Sequence, residues 1–342
     1  MNVAIIGCGQ IGQKRLRALG SRHRLVAAAD SDRQQADQFV RVSQHPAEAV
    51  DWRVAIERSD VDVVIVATTH NSLAPIALAA VEAGKHVLVE KPAACRPHEL
   101  EPVIAAAAAN GCCVEVGLNH RFHPALQKAR EIVDSGALGT LTTIRGRYGH
   151  GGHLGYDRAW RSDPHVAGGG ELIDQGVHLI DLARWFLGDF TQISGFTASY
   201  FWQRPVEDNA FLLLRTVEDH AAWLHVNCAE WKNLFSFEIF GHDGKLQVDG
   251  LGGSYGVERL THYRMLPEMG PPETTIWEYP FEDRSWSLEF EAFVRAIEQG
   301  TRPPASLQDA KAVLDIVEQV YRMNQGRTAA PVLKRASSAP AI

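Results

Sequence analysis

Apolar and polar positions follow two different rhythms along the chain. Over the first 120 residues, unbroken apolar runs alternate with amphipathic stretches. "NVAII" precedes "IGQKRLRAL", "RLVAAAD" precedes "RQQADQFV", and "VDVVIVATT" precedes "LAPIALAAVEAG"; "KHVLVE", "PVIAAAAAN" and "CCVEVG" follow. Strands apolar on both faces, separated by helices, predict a parallel sheet covered on both sides. Beyond residue 121 the pattern changes. One helix is expected over about 123–135, and an apolar helix over 168–187. After that, period two takes over: in "WLHVNC", Leu224, Val226 and Cys228 alternate with Trp223, His225 and Asn227. "FSFEIF" and "KLQV" flank "GHDG", a plausible hairpin turn, and "FLLLRT" and "TTIWEY" are further strand candidates. These predict a mostly antiparallel sheet with one face on helices. Two helices close the pattern, the second capped by Ser306 after a Pro-Pro pair. The expected division is an α/β domain over 1–121, an α+β domain over 122–333 and a flexible tail, "KRASSAPAI", over 334–342.

The stretch 168–187, "GGGELIDQGVHLIDLARWFL", breaks its own apolar rule. At about 100° per residue, Asp174, His178, Asp181 and Trp185 fall within roughly 60° of one another on a helix. The remaining faces carry Leu, Ile, Val, Ala and Phe, as in a buried helix. Such a stripe faces solvent, a partner group or a cleft. From the helix alone, a satisfied core histidine and an exposed acidic edge would serve as well as a site.

Composition narrows the class. The chain has 342 residues, enough for about two domains. A net charge of −7 gives no attraction for nucleic acid or an anionic membrane surface. No apolar run approaches the ~18 residues of a membrane span, and "MNVAIIGCGQ" lacks the basic and apolar regions of a signal peptide. Five cysteines without a CxxC pair fit a reducing compartment. The expectation is a soluble cytoplasmic protein.

"NVAIIGCGQIGQKRL" places Gly7, Gly9 and Gly12 in G-x-G-x-x-G spacing between a strand and a helix. Gly7 permits a tight turn, Gly9 close approach of a pyrophosphate, and Gly12 close helix–strand packing; the helix start at Gln10 and Ile11 offers free N–H groups to the anion. Asp30 ends the second strand, where its carboxylate can accept ribose hydroxyls and repel a 2′-phosphate. NAD is therefore the favoured cofactor. Arg33, three residues on, keeps NADP open. Ser31, Thr68 and Thr69 sit at strand ends where the same ligand would pass.

"AGKHVLVEKP" (83–92) puts Glu90, Lys91 and Pro92 at the carboxyl end of a strand, the ligand-binding edge of an open α/β sheet. Together with "GCGQIG", "GLNHRFHP" (117–124) and the 168–188 stretch, in this order and spacing, the chain resembles the Gfo/Idh/MocA oxidoreductase family over nearly its whole length. The resemblance implies a Rossmann dinucleotide-binding domain followed by an α+β domain with a large, open-faced sheet. It implies Lys91, Asp174 and His178 as the catalytic set. Glu90, Lys91 and Asn119 would join the cofactor contacts. Arg121, Tyr148, Trp160 and Arg161 would join Lys91, Asp174 and His178 around the substrate. The family commonly carries "TPN..H" after its fourth strand; this chain has Thr68, Thr69 and His70, with Leu73 where that histidine would fall.

The implied activity is NAD-dependent interconversion of a secondary alcohol and a ketone on a sugar, a sugar derivative, sugar nucleotides and sugar phosphates included, or a cyclitol such as inositol. His178 can accept the hydroxyl proton, Lys91 can hydrogen-bond the reacting oxygen, and Asp174 can orient substrate or hold its charged neighbours. Asp181 is expected to be structural. Aromatic and basic residues in "RYGHGGHLGYDRAWRSDPH" suit stacking on a sugar ring. The fold also hosts NAD-retaining glycosidases and non-catalytic nucleotide-sensing regulators. Zinc held by His150, His153, His165 and the Asp174/His178 pair is a weaker alternative, and no metal is expected. A homo-oligomer, dimer or tetramer, is expected from the second sheet.

Overall fold

The structure is a computed structural model that describes residues 1–43 and 45–324; the expected tail and the last residues of the second domain lie outside them. Six strands form a wholly parallel sheet: β1 (Asn2–Ile6), β2 (Arg24–Ala29), β3 (Glu48–Ala49), β4 (Val63–Val66), β5 (His86–Glu90) and β6 (Val114–Gly117). Their order is β3-β2-β1-β4-β5-β6. Helices α1 (Gln10–Ala18), α2 (Arg33–Val42), α3 (Trp52–Glu57), α4 (His70–Glu82) and α5 (Leu100–Asn110) connect them. The continuous apolar runs are explained by this arrangement: Val63, Val64, Ile65 and Val66 are all fully buried, because a central parallel strand is covered on both faces. Strand order reverses between β1 and β4, which opens a crevice at their carboxyl ends.

The second half begins with α6 (Pro124–Asp134), β7 (Leu141–Gly149), α7 (Pro164–Ala167) and α8 (Val177–Leu187). Strands β8 (Phe190–Ala198), β9 (Asn209–Thr216), β10 (Ala221–Asn227), β11 (Leu234–Gly241), β12 (Gly244–Asp249), β13 (Glu258–Arg264) and β14 (Glu273–Tyr279) complete an eight-stranded sheet with β7. Its order is β14-β13-β12-β11-β7-β10-β9-β8. All neighbours are antiparallel except β7 and β10. Inward residues such as Leu212, Leu224, Val226, Phe235 and Phe237 are buried on the helix side. Phe196, Leu213, Trp223 and Ile276 remain exposed.

Two expectations change. The stretch 168–187 is not one helix. Gly168 takes φ +78 and ends α7, and Leu172–Gly176 forms a wider π-helical turn before α8 begins. The glycines are needed for close packing: a Cβ on Gly169 would fall 2.1 Å from the Tyr321 hydroxyl, and one on Gly170 2.1 Å from the Glu207 carbonyl. A π-turn is wider than an α-turn, so a regular wheel misplaces Asp174 relative to Asp181.

The chain also does not divide cleanly near residue 121. Helix α9 (Ser285–Gln299) returns to the first sheet, where Phe290, Phe293 and Val294 join Val3, Ile5, Leu25, Phe39 and Leu88 in one apolar cluster. It also delivers Glu289 to Arg15, a fully buried side chain at 2.6 Å from Glu90 and 2.5 Å from Glu289. Helix α10 (Leu307–Asn324) then packs on β8 and α8. Burial, partly offset by Arg15, pushes the Glu289 carboxyl up to about 7. One guanidinium thus holds two buried carboxylates, one of them next to Lys91. Arg15→Met should leave both acids uncompensated and cost about 3–5 kcal/mol. Urea unfolding of wild type and variant checks this; a loss under about 1 kcal/mol would show that the cluster contributes little to stability.

Candidate active site

The glycine loop folds as the spacing requires. Gly7 has φ +99, and a Cβ there would lie 2.3 Å from the Ala67 carbonyl oxygen. A Cβ on Gly12 would lie 2.0 Å from the Gly7 carbonyl oxygen. Gly9 has open space where its Cβ would be, so the start of α1 is free to approach an anion. The Cys8 N–H donates to Asp30 Oδ2 at 2.7 Å, and the Asp32 N–H donates to Oδ1 at 3.0 Å. These bonds aim the Asp30 carboxylate at the crevice.

A cavity of about 1110 Å³ runs from this loop to the α8 helix. Gly7, Gly9, Gln10, Ile11, Asp30, Ser31, Thr68, Thr69, Glu90, Lys91 and Asn119 all line it; Gly12 does not, because it packs under the loop. Gln35, Asp51 and Trp52 close the end near Asp30. Arg33 is not on the wall; it is turned to Asp37 at 3.0 Å. The residues present fit a dinucleotide: a carboxylate at one end, exposed helix N–H groups in the middle and a polar cluster at the other.

That cluster is built around Asp174, 4% exposed. Lys91 Nζ donates to its Oδ1 at 2.6 Å and to its main-chain carbonyl at 2.5 Å. Arg161 Nε donates to Oδ2 at 2.8 Å. His70 Nε2 stands 3.6 Å from Oδ1, its Nδ1 held by the Ala167 carbonyl at 2.8 Å. Burial disfavours the charged carboxylate, but Lys91 and Arg161 together hold it well below the ordinary range. Asp174 therefore works as an anionic clasp on two cations. Trp160 is edge-on to His70 at 4.9 Å and carries the Arg161 guanidinium over its face at 4.4 Å.

His178 lines the same cavity, one turn beyond. Burial first, then the Lys91 charge, push its imidazole well below 6.5 against the opposing pull of Asp174. That direction keeps it neutral at neutral pH, with a lone pair free to accept a proton. Tyr148 also lines the wall, 5.1 Å from Tyr255 ring to ring. Burial and the Tyr255 neighbour push the Tyr148 hydroxyl well above 10, so it stays protonated.

The opening stripe splits in two. Asp174 and His178 belong to the cavity. Asp181, fully buried, instead binds Arg121, whose Nε donates at 2.8 Å and whose Nη1 reaches the Pro304 carbonyl at 2.6 Å. Arg121 does not line the cavity, so the expectation that it contacts substrate is corrected: both its charge and its donors are taken up in the protein interior. His150 is bound to Glu171 at 3.1 Å and His153 to the Leu154 carbonyl at 2.9 Å. Among the described residues no group of three or more His, Cys, Asp or Glu is placed to hold a metal ion. Wall residues that pattern reading passed over include His70, His120, His123, Asn233, Tyr255 and Trp286. They come from five different places in the chain, and only the tertiary fold unites them.

Residues 1–118 match the family described as "Oxidoreductase family, NAD-binding Rossmann fold", and residues 126–247 match the "GFO/IDH/MocA C-terminal domain". The chain belongs to the GFO/IDH/MocA family of oxidoreductases. As a member of this family it carries an NAD-binding Rossmann domain. It is 33% identical to the levoglucosan dehydrogenase of Pseudarthrobacter phenanthrenivorans over 169 residues, 49% of this chain and 43% of that enzyme. It is 28% identical to inositol 2-dehydrogenase 2 of Saccharopolyspora erythraea over 345 residues, 97% of this chain and 95% of the relative. The fold matches a levoglucosan dehydrogenase solved with NADH at a TM-score of 0.84 and 23% identity, covering 94% of this chain and 97% of that one. An oxidoreductase domain protein from Kribbella flavida matches at 0.85 and 26% identity, covering 95% and 97%.

Proposed function

We propose that this oxidoreductase interconverts a secondary alcohol and a ketone on a neutral cyclic polyol, a sugar or cyclitol, with NAD as cofactor. The observation that carries this is the Lys91–Asp174–Arg161 clasp beside neutral His178, in one cavity with the nucleotide crevice. When bound, NAD⁺ supplies the acceptor for hydride from the carbinol carbon. His178 takes the hydroxyl proton. Lys91, fixed by Asp174, donates a hydrogen bond to the reacting oxygen and stabilises the charge that develops there. Trp160 and Tyr255 line the same cavity, where aromatic side chains suit contact with a ring.

Both cations at the reacting end are already engaged: Lys91 and Arg161 share one carboxylate, Asp174, which leaves a single positive charge in excess to meet the developing alkoxide. The other cation on the wall, Lys14, lies over Trp286, whose Nε1 donates to Asp283. A phosphate at the reacting end would therefore have to compete with Asp174 for both cations. Comparing NAD⁺ reduction with a polyol and with its phosphate ester tests this; preference for the ester would contradict it.

NAD should be preferred to NADP. Asp30 faces the cavity while Arg33 is turned to Asp37, so a 2′-phosphate would meet a carboxylate. Asp30→Ala should narrow the preference. The ratio of kcat/KM for the two cofactors in both proteins decides it, and a wild type that prefers NADP would refute this reading.

Among the described residues no helix is long and apolar enough to cross a membrane; separately, the free thiols of Cys8, Cys95, Cys112, Cys113 and Cys228 fit a reducing compartment, and we propose the cytoplasm. The exposed sheet face carries a row of stacked rings, Phe196 on Phe211 at 4.8 Å and Phe211 on His225 at 4.3 Å. With Leu213 and Trp223 beside it, this face supports pairing with a second copy of the chain, as a dimer or tetramer.

A further inference from the structure

His178 does not stand alone in its wall. The ring of His120 lies against it, with centroids 3.7 Å apart and planes at 75°. Behind His120 are Phe235 at 5.9 Å, Tyr148 at 5.3 Å and His123 at 5.6 Å. The charged and titratable groups that face the pair are Lys91 after β5, Lys14 on α1, Asp174, His123 and Tyr148. His123 is itself held by Glu258, 2.8 Å from its Nδ1. Both His120 and His178 are 4% exposed, and burial drives both to the neutral form.

Each ring has one enclosed nitrogen without a partner, and it is the same atom. Nδ1 of His178 and Nδ1 of His120 are enclosed and have no hydrogen-bond partner among the described residues. Buried polar atoms are seldom left so, because each costs about 1–3 kcal/mol. A neutral imidazole has one N–H and one lone pair. The two Nδ1 atoms are not hydrogen-bonded to each other; if the hydrogen of His178 sits on Nδ1 and the lone pair of His120 sits on Nδ1, one bridging water that accepts from the first and donates to the second satisfies both. The Nε2 lone pair of His178 is then free to face the cavity. In the opposite arrangement His178 carries its hydrogen on Nε2 and cannot accept a proton from a substrate hydroxyl. A base whose tautomer is fixed by a third group is the general design of activated proton acceptors.

We propose that His120 is a positioning residue that fixes His178 as the Nδ1–H tautomer, by accepting at its own Nδ1 through one bridging water. His120 touches no reacting atom in this scheme; it acts through His178. The purpose assigned to the pair rests on the proposed role of His178 as base, but the tautomer itself needs no turnover to be seen.

The test is nuclear magnetic resonance of the imidazole nitrogens in full-length protein with NAD⁺ bound, at neutral pH. His178→Asn and His120→Gln assign the two rings by loss of signal. In the wild type, His178 should show a protonated Nδ1 and a bare Nε2, and His120 the reverse. His120→Gln keeps an acceptor and should preserve the His178 pattern. His120→Phe removes it and should move His178 toward the Nε2–H form. A wild-type His178 protonated on Nε2 would overturn the proposal without any variant. So would a His178 pattern unchanged in His120→Phe. A coupled pair in a protein that reduces no NAD⁺ with any alcohol would uphold this inference and reject the proposed function.

Discussion

Replacing Lys91 with methionine is expected to lower kcat by about 10²–10³, the usual cost of removing one charge-stabilising donor, while NADH still binds. Methionine keeps most of the length and apolar stem of lysine and removes only the ammonium. In the folded protein that ammonium donates both to the carboxylate and to the carbonyl of Asp174, so its position is fixed before substrate arrives. Arg161 remains on the second carboxylate oxygen in the variant, which keeps Asp174 compensated and the site folded. Steady-state rates set beside NADH fluorescence titration separate chemistry from binding. A rate loss below threefold would make the lysine a structural tether of α8, with no part in the reaction.

His178→Asn is expected to cost roughly 10²–10⁴ in kcat/KM and to flatten the acidic limb of the pH profile for alcohol oxidation. As base, His178 must be neutral to accept the hydroxyl proton, so the rate falls as pH drops through its pKa. Burial and Lys91 push that pKa well below 6.5, so the wild-type limb should lie on the acid side of the ordinary histidine value. The variant should remain folded by circular dichroism. An unchanged limb in an active variant would remove His178 from the chemistry. Lys91 would then be the next acceptor to test, because burial holds the hydroxyls of Tyr148 and Tyr156 protonated.

The first sheet was legible because a central parallel strand must be apolar on both faces, and "VDVVIVATT" says so without help. The glycine loop was legible because spacing and flanking elements must coincide. Asp174 and His178 stood out as polar residues on an otherwise apolar helix. What hid the rest is physical. Strand β8 lies at a sheet edge, and its large apolar residues Phe190, Ile193 and Phe196 fall three apart, so its sequence shows no period of two. Arg121 and Asp181 neutralise each other across 60 residues, and in sequence the arginine of such a buried pair looks like a candidate site residue. The return of α9 to the first sheet depends on Phe290 and Phe293 packing near Ile5 and Leu88, a contact no local pattern encodes. His120 sat in the quoted "GLNHRFHP" beside Asn119 and Arg121, yet only its ring-to-ring distance from His178 distinguishes it.

The central claim is that this cavity passes hydride from a neutral cyclic polyol to NAD⁺ with Lys91 and His178 at the reacting oxygen. The most direct measurement follows NADH formation by the wild type, Lys91→Met and His178→Asn across neutral sugars and inositols, with aryl glycoside hydrolysis run in parallel. The expected result is stoichiometric NADH and ketone from at least one neutral polyol, lost in both variants, with no glycoside cleaved. A wild type that binds NADH but reduces NAD⁺ with none of these alcohols, or that cleaves a glycoside with no net NADH, would contradict it.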